Sequence, residues 1–250
     1  MKLFMTLGSG ALLLTCGLVG LRLLWLSWRT GGMPERLLGI GYSSVIFVFV
    51  PLLVASGMGR EQVGDVKLGL LAAGCIACCV GFTCVMSFTG KTFRPNEPWA
   101  DVLIFVLSGA MAMACGGLIG AIIAGPVASR SFEVGQLWTG LLRAPAVVMF
   151  LWTGIEGIRH YRMARRRESL GLGSPVVTNR FMLWGLAGVS QGGVGVIAMT
   201  LHFSGQGAMI SPGALLVTAT GGLISATLMF IAFLPPKAYV KMLQRRAAAA

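Results

Sequence analysis

Residues 101–125 read DVLIFVLSGAMAMACGGLIGAIIAG, and after Asp101 no charged side chain occurs before Arg130. At a rise of 1.5 Å per residue, about twenty residues of helix cross a hydrocarbon core of roughly 30 Å. The stretch offers no polar face of the kind a soluble helix turns to water. It reads as a transmembrane helix. Similar blocks recur at about 4–27, 37–58, 68–89, 137–158, 181–203 and 213–234, which makes an expected seven spans with ends uncertain by a few residues. Trp25, Trp28, Trp99, Trp138, Trp152 and Trp184 mark several of their ends, where indoles favour the headgroup level.

Composition agrees. Of 250 residues 56% are hydrophobic and 11% charged, and the mean hydropathy is +0.82. A soluble domain carries roughly 25% charged residues. The expected fold is an all-α, polytopic membrane bundle, one domain over residues 1–250. The longest connector, about residues 159–180, is too short for a domain outside the bilayer. Lys2 precedes the first block, and Leu13-Leu14-Thr15-Cys16 loosely resembles a lipoprotein cleavage sequence. Thr15 suits that cleavage poorly and the apolar run continues through Leu26, so the block reads as a retained span.

Lys and Arg set the orientation. One side carries Arg29, Arg36, Lys91, Arg94, Arg159, Arg162, Arg165, Arg166, Arg167, Arg180, Lys237, Lys241, Arg245 and Arg246, fourteen in all. The other carries four: Lys2, Arg60, Lys67 and Arg130. The richer side is expected in the cytoplasm, with the N-terminus outside and the C-terminus inside. Arg22 and Arg143 fall within spans. The net charge of +12 lies in connectors beside apolar blocks. The expected partners are therefore the lipid bilayer and its anionic headgroups, with no nucleic acid.

Several segments carry a resemblance. Arg29-Thr30 with Pro34-Glu35, then Phe93-Arg94-Pro95 with Pro98-Trp99-Ala100, precede the longest of them. That third segment is Leu170-Gly171-Leu172, Pro175-Val176-Val177-Thr178-Asn179-Arg180-Phe181 and Trp184-Gly185. Together they resemble a family of uncharacterised bacterial seven-helix integral membrane proteins. The resemblance implies the seven-helix topology and a place in the cell inner (plasma) membrane, and it brings no mechanism. The connectors after the first and fifth spans also share a basic exit, a proline and a following arginine, which permits a three-plus-one-plus-three duplication.

Candidate chemistry is sparse. The last span has no lysine to hold retinal as a Schiff base. Gly188-Val189-Ser190-Gln191-Gly192 fits G-x-S-x-G, but a membrane span cannot supply the strand–turn–helix that motif needs. His202 lies twelve residues after Ser190, about 18 Å along the helix. Gly188 with Gly192, Gly116 with Gly120, and the row Gly117, Ala121 and Gly125 instead give small-residue faces for helix packing. The six cysteines, at 16, 75, 78, 79, 84 and 115, all lie inside apolar blocks, so no disulfide framework is expected. Cys75, Cys78 and Cys79 share a helical face, and Cys115 with Met111 offers soft ligands. Packing explains them better than copper, and His160 and His202 sit too far apart for haem. No metal, cofactor or enzymatic activity is predicted.

Ligand binding is expected at three polar residues within spans: Arg143, before Pro145, with Glu133 as its reachable partner, and Ser190 and Gln191 near mid-depth. Tyr42, Ser43, Ser44, Thr218, Thr220, Ser225 and Thr227 read as interhelical hydrogen bonders. Glu156 and Arg22 are expected to reach the interface. Arg159, Arg162, Arg165, Arg166, Arg167 and Arg180 are expected to meet anionic lipid or a cytoplasmic protein partner. The leading expectation is a sensory or signalling component, acting through a ligand in the bundle and a basic cytoplasmic loop. A small-solute transporter and a structural or assembly subunit of a membrane complex are the alternatives.

Overall fold

The computed structural model describes residues 2–56, 64–124, 136–204 and 212–248. Among them every regular element is helical: α1 (Lys2–Thr30), α2 (Met33–Ser43), a π-helical turn (Ser44–Phe49), α3 (Val50–Ala55), α4 (Asp65–Phe93) and α5 (Pro98–Ala124). The order continues with α6 (Gln136–Ser169), α7 (Pro175–Phe203), α8 (Pro212–Phe233) and α9 (Lys237–Ala248). Seven stretches are long and apolar enough to cross a membrane. α2, the π turn and α3 together form the second, and α9 lies outside them. The described residues are thus all-helical, and the seven candidate spans make the protein multi-pass.

Local chemistry sets the boundaries. α1 stops where Gly31 turns left-handed (φ +67°) and its N–H reaches Ser27 O at 2.9 Å. Gly31 can adopt that φ because it has no Cβ. α6 ends in the same way. Gly171 has φ +71°, and the Leu172 N–H returns to Arg167 O at 2.9 Å, closing a Schellman-type cap.

That cap lies well beyond the end expected from the sequence. The helix runs straight through Arg159–Arg167 to Ser169, so most of the expected connector is helical. Arginine, methionine and alanine all favour helix; charge ends the apolar block, and only Gly171 ends the helix. Pro175 then opens α7 at its first position, where a missing N–H costs nothing.

The second span is continuous but contains a widened turn. Val50 donates to Val45 O, five residues back, and Pro51 has no N–H to donate. The wide turn takes up one extra residue just before the proline.

Two compact units emerge, Met1–Val19 with Phe150–Ala250, and Gly20–Met149. Within the second, α2 and α4 touch backbone to backbone, since a Cβ on Gly41 would lie 3.0 Å from Gly81 O. Thr83 Oγ1 donates to Ser108 Oγ at 3.0 Å, joining α4 to α5 above a core of Leu71, Cys75, Cys115, Leu118 and Ile122. Within the first unit, α6 and α7 are equally close: a Cβ on Gly157 would lie 2.8 Å from Gly185 Cα, and one on Gly188 would lie 2.7 Å from Gly154 Cα. Apolar lipid gives helices no hydrophobic reason to associate, so such contacts stabilise through dispersion at short range.

Candidate functional site

Arg143 lies in α6, one residue before Ala144 and two before Pro145, a proline inside the helix. Its guanidinium is half-buried, and Nη1 is buried with no hydrogen-bond partner among the described residues. Glu133, its expected partner, lies outside the described residues. Pro145 withholds the N–H that would bond the Leu141 carbonyl, so a cationic donor and a released acceptor sit within one turn. An anion reaching this level of α6 meets a guanidinium with five N–H donors in a planar fork.

Ser190 and Gln191 lie in α7, within the other unit. Gln191 Nε2 is also buried with no partner among the described residues. The G-x-S-x-G segment lies within unbroken helix. Its two glycines face α6: a Cβ on Gly188 would meet the Gly154 backbone, and one on Gly192 would meet Leu151 Cδ2 at 2.5 Å. Gly116 and Gly120 differ. A Cβ at either would meet nothing within 4 Å, whereas one at Gly117 would run into the Trp138 ring. Ser43 Oγ, next to the π turn, is a third buried polar atom without a partner among the described residues.

Glu156 is packed inside the helices, only 3% exposed, on a different face of α6 from the Gly154 and Gly157 that meet α7. One turn on, His160 Nδ1 lies 3.0 Å from Glu156 O and 3.9 Å from Glu156 Oε2. Arg22 is exposed.

The arginine run forms a helical surface. Arg159, Arg162, Arg165, Arg166 and Arg167 are all exposed on α6, and Arg165 Nη1 donates to Tyr161 Oη at 3.4 Å. Positions 159, 162, 165 and 166 fall within about 120° of the helix circumference at 100° per residue.

Arg180 does something different. Its Nε donates to Ala232 O at 3.0 Å. That carbonyl's helical donor would have been residue 236, and Pro236 has no N–H. Arg180 thus caps α8 at the point where Pro235-Pro236 ends it, and a cation there also complements the negative end of the helix dipole. On the preceding residue, Asn179 Nδ2 donates to Tyr239 Oη at 2.9 Å, tying α9 to α7. Tyr239 and α9 itself were absent from the sequence-based expectation, and Asn179 entered it only as part of the family resemblance. Their signal was the spacing of Tyr239, Val240 and Leu243 among the cations of the tail.

The cysteines are all free thiols. Cys79 Sγ lies 3.7 Å from Cys115 Sγ, and Cys115 Sγ lies 3.9 Å from Cys75 O. No family model, curated protein or solved structure matches this chain.

Proposed function

We propose that the protein is a sensory or signalling component of a bacterial inner membrane that takes up a small anion at Arg143 and reports it through α6. The carrying observation is the continuity of α6. One helix of 34 residues, about 51 Å long at 1.5 Å per residue, bears the half-buried guanidinium of Arg143 near its start and the arginine surface at its end. Fourteen cations against four support an arginine surface in the cytoplasm and an N-terminus outside. An anion that binds Arg143 differently in two conformations of α6 shifts their populations by its differential affinity. The arginines then display that shift to a cytoplasmic partner. The resemblance to a bacterial seven-helix family accords with this setting.

Hydrogen–deuterium exchange on the reconstituted protein tests the reading. Phosphate, sulfate, acetate and succinate are added in turn, and the amides of residues 159–169 are followed. At least one anion changes their exchange in the wild type and leaves Arg143→Gln unchanged. If the whole panel leaves both proteins alike, anion sensing through α6 is wrong.

A small-solute transporter is the second reading, favoured by the π turn in the second span. π turns inside helices are frequent at functional sites, and here one lies just before Pro51. Solute uptake into proteoliposomes that Pro51→Ala abolishes would favour it.

A further inference from the structure

We propose that α9 is an interfacial helix that binds the headgroups of anionic phospholipids through Lys237, Lys241 and Arg245. These three cations recur at i, i+4 and i+8 and are exposed, so they form one stripe within about 80° of the helix circumference. The opposite side carries Tyr239, Val240 and Leu243, which line a cleft against α7 and the end of α8. The apolar sector is wider than the part those helices cover. Ala238 is exposed and Met242 is 37% exposed, between the docked sector and the basic stripe, and the row they begin ends at position 246 in a further arginine. A helix with that cross-section rests with its uncovered apolar strip among the acyl chains and its cations at the phosphates.

Position and charge identify the lipid. Only Leu234, Pro235 and Pro236 separate α8 from α9, so the stripe begins within a Debye length of the headgroups. From Ser169 to Ala250 the sequence has no Asp or Glu, and no ion pair among the described residues involves Lys237, Lys241 or Arg245. Their counter-charge therefore comes from outside these helices, and an anionic leaflet supplies it at the right height. The Asn179–Tyr239 hydrogen bond keeps α9 beside α7 while it binds.

Exchange of the α9 amides in the full-length protein reads the binding. Nanodiscs of phosphatidylcholine alone are compared with nanodiscs that also contain phosphatidylglycerol. Phosphatidylglycerol slows exchange over residues 237–248 about tenfold, and 0.5 M salt removes most of the effect. The variant Lys237→Gln/Lys241→Gln/Arg245→Gln loses the lipid dependence, with the exchange of α7 unchanged as the control for folding. Arg159→Gln/Arg162→Gln/Arg166→Gln retains it. Equal exchange in the two lipids, or slowing that survives the α9 substitutions, overturns the proposal. So does equal slowing by soluble polyglutamate in neutral nanodiscs, which would make the partner an acidic protein. None of these outcomes depends on Arg143.

Discussion

At the scale of single residues, chemically identical positions are separated by what stands opposite them. Gly188→Ala places a methyl group 2.7 Å from the Gly154 backbone, and overpacking of that kind costs about 1–3 kcal/mol. Gly116→Ala meets nothing within 4 Å and should leave stability unchanged. Thermal unfolding in detergent distinguishes them: the Gly188 variant melts lower, and equal melting points would refute the α6–α7 contact. Arg180→Ala uncovers the Ala232 carbonyl that Pro236 leaves without a helical donor, at a cost of about 1–2 kcal/mol. Arg180→Lys, lacking Nε, recovers only the dipole contribution. The sequence makes Gly188 and Gly116 look alike, because G-x-x-x-G states which faces can approach closely and not which ones do. Arg180 is similar: its side chain reads as one more cation of a basic loop until the carbonyl facing it is known.

Helices were easier to read than their ends and distortions. Blocks of about twenty apolar residues located all seven spans because lipid forces their backbone bonds inside the segment. Hydropathy records where lipid stops and not where helix stops, which is why α6 and α7 extend past the expected bounds. The π turn keeps the helical look of its sequence, and Pro51 was the sole hint. α9 was legible in principle, since its apolar residues follow helical spacing beside the cations, yet a short basic tail gives no hydropathy signal. The cysteines divide more finely than their shared face suggested: Cys79 and Cys115 touch across α4 and α5, and Cys78 takes no part in that contact. Copper-phenanthroline oxidation should therefore link Cys79 to Cys115, their sulfurs closing from 3.7 Å to about 2.05 Å, while Cys78 stays free. Peptide mass mapping that finds Cys78 in the linkage instead would mean the α4–α5 crossing is rotated from the one described.

For the whole molecule, composition carried the seven spans, while the candidate site depended on burial, which no single sequence displays. Arg143, Gln191 and Ser43 matter because each has a polar atom enclosed without a partner among the described residues, and Glu156 because it is buried on a helix whose glycines meet α7 on another face. Those same glycines bear on how the protein is assembled. Residues 170–174 are all that separates α6 from α7, and their backbones meet at Gly154, Gly157, Gly185 and Gly188. A contact so local costs little loop-closure entropy, so this pair can zip together as it leaves the insertion machinery, ahead of partners further apart in the chain. Pulling the protein from a bilayer by its C-terminus should then release α6 and α7 in one force step, and Gly188→Leu should split that step into two. The α6–α7 hairpin would then close last among the spans up to α7, after the earlier ones have been translated and inserted.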